Sequence, residues 1–130
     1  MTDFDLNPDS PHSPERTAEA GQWFDDLSRL LVYASMPCKG GLEYPADAYR
    51  FVADVYSATG RIPQMCEQLE AFLRAQVVAG QLYEARGRDI EIQRDRAAIH
   101  LGQAAAHARA LTRALQEVQA DISGLGVRED

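Results

Sequence analysis

The spacing of apolar residues between Ile90 and Ile122 constrains this chain more than any other feature. Ala97, Leu101, Ala104, Ala108, Leu111, Leu115, Val118 and Ile122 are separated alternately by four and three residues. That rhythm keeps one seam of an α-helix turned toward a partner helix. No proline interrupts it. Gly102, the only interior glycine, lies off the seam and costs about 1 kcal/mol relative to alanine. Residues 90–122 are therefore expected to form one rod of roughly 50 Å. The seam is small at its N-terminal end and large at its C-terminal end, so packing should taper along the rod.

A second apolar set, Ile92, Ile99, Ala106 and Ala110, lies off that seam. A simple helix pair leaves it in water. Either this helix is central within one copy and packs on two sides, or it meets a second protomer. These four residues, with Leu115 and Ile122, are the candidate partner-interface positions.

The remaining chain divides at prolines and glycines. Residues 1–13 are acidic and rich in Pro and Ser, with few large apolar groups, and read as a disordered tail. Ser13-Pro14 supplies an N-cap and a first helical residue for a helix over 14–35, with Ala20, Phe24, Leu27, Leu31 and Ala34 on one line and Trp23 and Leu30 widening it. Pro37-Cys38-Lys39-Gly40-Gly41 is a turn with glycines free to adopt positive φ. Tyr44-Pro45 opens a second helix over 45–59, with Gly60 as its terminator. Ile62-Pro63 opens a third over 63–84, with Gly80 at the centre of its apolar face, where it would let a neighbouring backbone come close. Asp89 caps the fourth, and residues 124–130 read as frayed. The expected fold is all-α: a single domain over 14–123, built as a four-helix antiparallel up-and-down bundle with a long C-terminal helix. Helix four outlasts helix two, so part of it lacks a full-length partner.

The net charge of −7 disfavours a sequence-independent grip on nucleic acid or anionic lipid. Residues 1–60 carry ten acidic and four basic side chains, residues 61–130 ten and nine. Twelve Arg to one Lys, with twenty Ala, suits a GC-rich bacterial genome, an actinobacterium for example. Two cysteines, Cys38 and Cys66, make no disulfide scaffold. With no signal pattern and no long apolar run, a cytoplasmic protein is expected.

Catalytic, cofactor-binding and metal constellations are not found. His100 and His107 stand a heptad apart, about 10 Å along a helix, too far to share one metal; the third histidine, His12, is in the tail. Cys38 has only Lys39 beside it, and no phosphate-binding glycine pattern is present. The carboxylate pairs Glu15/Glu19, Asp25/Asp26 and Glu67/Glu70 fall on expected solvent faces. The second helix, Thr59-Gly60-Arg61 and the third helix imitate a helix-turn-helix, but the first turns of the third offer Gln64, Glu67, Gln68 and Glu70. Arg61, Arg86, Arg88, Arg94 and Arg96 are the candidate nucleic-acid contacts; Asp89, Glu91 and Asp95 offset most of the run from Arg86 to Arg96. The small helical-hairpin proteins exported by actinobacterial type VII systems carry a Trp-x-Gly turn and a Tyr-x-x-x-Asp/Glu tag. This chain has neither: Phe24-Asp25 follows Trp23, and Ala53 and Ala48 stand four residues after Tyr49 and Tyr44.

The function expected from these features is a non-catalytic interaction or adaptor module, a homodimer or a binder of a partner helix through residues 90–122. A small DNA-linked regulator of plasmid or phage type is the alternative. No cofactor and no membrane are implied.

Overall fold

The computed structural model describes residues 4–128, which are helical and irregular with no strand among them. Helix α1 spans Pro14–Ala34, α2 Pro45–Thr59, α3 Ile62–Ala79 and α4 Ile90–Ile122. Of the expected tail and frayed end, residues 1–3 and 129–130 lie outside the described residues. The chain divides into two units, Met1–Glu43 and Tyr44–Asp130. The four expected helices are present, but the second unit packs three of them, α2 to α4, and α1 belongs to the first.

In the first unit, Ser13 caps α1 by accepting the Arg16 N–H at 3.0 Å. The guanidinium of Arg16 then gathers the preceding segment. It donates to the carbonyls of Ser10 and Pro11 at 2.9 Å and to those of Asp5 and Asn7 at 2.8 Å. One always-charged, planar donor thus satisfies four main-chain acceptors. The Phe4 ring sits 5.8 Å from that of Trp23. A hydrogen bond from Ser10, then the Asn7 N–H and the charge of Arg16, hold the Asp5 carboxyl below its ordinary range. The segment expected as a tail is thus tied, from Asp5 onward, to the first turn of α1. After α1, Cys38 and Gly40 both take positive φ, at 69° and 78°. Gly41 does not; it is needed for space, because a Cβ there would collide with the Ala34 carbonyl.

In the second unit, α2 and α3 both run antiparallel to α4. Gln119 donates to the Tyr49 hydroxyl at 3.2 Å, the Thr112 and Thr59 hydroxyls lie 2.9 Å apart, and Arg109 meets Glu67 at 3.0 Å. Farther along, Leu73 and Val77 of α3 line one groove with Ile90 and Ala97 of α4. The 15 residues of α2 and the 18 of α3 together match the 33 of α4. Helix α4 outlasts α2 as expected, but the rest of the rod does not lack a partner: α2 and α3 lie end to end along it. This is a helical hairpin with one arm broken in two.

Pro63 makes the break. It lacks the N–H that would bond the Thr59 carbonyl, and its ring would clash with that carbonyl in a straight helix. Gly60 (φ −62°) and Arg61 (φ −90°) between the two helices stay in right-handed helical space. Gly60 is therefore not the left-handed terminator expected from the sequence. Gly80 is: at φ 72° it ends α3, five residues before the expected boundary at 84. No atom lies within 4 Å of a Cβ built on it, so it admits no close backbone. Tyr83, inside the range expected for the third helix, is 87% exposed.

Candidate interaction surface

A two-layer hairpin has one seam and two open faces. Along α4 the seam consists of Leu101, Ala105, Ala108, Thr112, Leu115, Gln119 and Ile122, all buried or half-buried. It keeps the alternation of four and three, but only one of the two expected columns. Leu101, Ala108, Leu115 and Ile122 point inward as expected. In the other column, Ala105, Thr112 and Gln119 replace Ala104, Leu111 and Val118, which remain exposed. The physical reason lies on α2. Thr59 is buried and Tyr49 reaches Gln119, so α4 turns hydroxyl and amide groups toward them. Its apolar arc is wider than one partner helix can cover.

The two faces differ in chemistry. On one, Leu69, Phe72 and Leu73 of α3 line an open groove of about 460 Å³ with Ala97, His100 and Leu101 of α4. Met65 lies one turn before Leu69, and Ala104, Leu111 and Val118 continue the column of Ala97. Met65, Leu69, Phe72 and Leu111 are 47–58% exposed. On the other face, Glu67, Glu70, Gly102 and Arg109 surround Cys66 and Ala105. Beyond them Arg109, Arg113 and Gln116 border Tyr56 and Gly60. Here Arg109 is paired with Glu67 at 3.0 Å, and Arg74 with Glu70 at 3.6 Å.

The candidate partner positions are divided by this arrangement. Leu115 and Ile122 belong to the seam. Ile92, Ile99, Ala106 and Ala110 lie together along the edge of α4 opposite it, all exposed. The strip formed by α3 with the outward column of α4 is not evident from sequence, where Leu69 reads as core and Leu111 and Val118 as seam. The one signal for it is that the apolar arcs of α3 and α4 are both too broad for a single contact.

Of the candidate nucleic-acid contacts, Arg86 and Arg96 are exposed, while the other three are engaged locally. Arg88 is bonded to Glu84 at 3.0 Å and Arg94 to Asp95 at 2.7 Å. Those hydrogen bonds hold both guanidinium groups more firmly protonated and draw the Glu84 carboxyl down. Arg61 donates to the Ser57 carbonyl at 3.1 Å. Among the described residues, no group of three His, Cys, Asp or Glu side chains is placed to hold a metal ion, and no helix is long and apolar enough to cross a membrane. Compared with family models, curated proteins and solved structures, the chain matches none.

Proposed function

We propose that the protein is a non-catalytic helical interaction module whose hairpin pairs with a second copy, so that it serves as an assembly or adaptor element. One observation carries this reading: Met65, Leu69 and Phe72 of α3 and the outward column Ala104, Leu111 and Val118 of α4 are all exposed and apolar. A chain with net charge −7 repels its own copies except where charge is lacking, so this face favours a second copy over a charged partner. Size supports it too. Two helical arms roughly 50 Å long and about 10 Å apart offer a face of roughly 1,000 Å², against the ~800 Å² per partner of a stable interface. Two hairpins face to face would present four helices in any cross-section.

A DNA-linked regulator draws less support, since Arg88 and Arg94 already hold carboxylates.

Light scattering on the eluting full-length chain tests the pairing. A mass of two chains at tens of micromolar is expected, falling to one chain for Leu69→Glu with helicity retained. A wild-type chain that stays monomeric at that concentration overturns the reading.

A further inference from the structure

The apolar face contains one kind of group able to change its charge near neutrality. His100 lines the groove with Leu69, Phe72, Leu73, Ala97 and Leu101. The α3 side therefore offers it three apolar side chains and no titratable group. On α4, the charged residue one turn before it is Arg96, a cation, and one turn after it is Ala104. His107 follows a heptad later, with Gln103 and Leu111 a turn to either side. The α3 carboxylates of this stretch, Glu67 and Glu70, line the opposite groove with Arg109. No carboxylate is among the side chains lining this groove.

We infer that protonation of His100 separates the pair, so that assembly is gated by pH; the inference rests on the pairing proposed above. A neutral imidazole can be covered by a second copy at small cost. An imidazolium covered there would be a cation without a partner, while in the separated hairpin it is hydrated. Imidazoles as a class change charge between about pH 5 and 8, so acidification favours the separated form. The sign follows from the groove lining, which contains no carboxylate.

The test is the dimer dissociation constant of the full chain by sedimentation equilibrium at about pH 7.5 and about pH 5.5, with circular dichroism at both. Two interfacial imidazoles, each disfavouring the covered state about tenfold once charged, weaken association roughly 100-fold. Helicity should be unchanged, and His100→Gln should reduce the ratio to within about threefold. A wild-type dimer equally tight at both pH values overturns the gate and leaves the pairing standing. So does a His100→Gln variant that keeps the full wild-type ratio. Loss of helicity in step with loss of mass overturns it as well, because acid would then be unfolding the hairpin. A chain monomeric at both pH values removes the pairing and the gate together.

Discussion

The two faces of the hairpin come from the same helices, yet one is chemically complete and the other is not. On the face of Glu67, Glu70 and Arg109, charges are exposed to water and meet opposite charges. On the face of Leu69, Phe72 and Leu111, apolar side chains are exposed, with the His100 imidazole lining the same groove. The difference arises because a helix presents three or four columns of side chains, and a single antiparallel neighbour covers about two. The residue types in the remaining columns decide the rest: charge makes a finished surface, and hydrocarbon makes an unfinished one.

The greatest change should come from contrasting the faces directly. Phe72→Asp should weaken self-association by roughly 100-fold, about 3 kcal/mol, while Arg109→Glu should change it by less than about threefold. Equal losses from both, measured by sedimentation equilibrium, would mean that the faces are not functionally distinct. Next comes the seam that both faces depend on. Ala105 and Ala108 are 4% and 7% exposed, so Ala108→Leu should overfill it and lower unfolding free energy by about 1–3 kcal/mol in urea titration. A neutral result would indicate a seam loose enough to slide.

Two glycines sharpen the account of how the arms are joined. Gly80→Ala should cost about 1 kcal/mol, because its left-handed conformation resists a Cβ. Gly60→Ala should be neutral or stabilising by up to about 1 kcal/mol, since its φ is helical and its Cβ would meet only ordinary contacts, the nearest at 3.4 Å. The opposite order in thermal melts would contradict the assignment of Pro63 as the break.

A smaller contribution comes from the turn between α3 and α4. Glu84 accepts from Arg88 at 3.0 Å and from the Arg86 N–H at 2.7 Å, and its carboxyl is held below the ordinary range. A lowered folded-state value contributes stability above the unfolded carboxyl value of about 4.3, lost as pH falls through the folded value. Glu84→Gln should therefore narrow the difference in urea midpoint between neutral and strongly acidic solution. An unchanged difference would show that the turn draws nothing from this carboxylate.

Much of the fold is legible in the residues because its signals are local. Ser13, Pro45 and Asp89 mark helix starts through chemistry within a single turn. The uninterrupted spacing from Ile90 to Ile122 defines a helix regardless of its partner, and the bounds of α2 and α4 match those read from sequence. Gly60 and Gly80 are less legible. Both are glycines near a helix end, and whether each takes positive φ depends on the chain beyond it. Pro63 forces the break at one, and the return toward α4 sets the other. The role of Arg16 is not legible at all, since the backbone carbonyls it gathers carry no sequence signature.

From the order of residues alone it follows that the chain is helical, where most of its helices begin and end, and that α4 has more apolar columns than one neighbour can cover. Which columns face inward is settled only by packing. Periodicity fixes the residues that share a stripe but not the rotation of the helix about its axis. That rotation is set by Thr59 and Tyr49 of α2, whose hydroxyls are matched by Thr112 and Gln119. Satisfying those polar groups at the seam leaves Leu111 and Val118 in water.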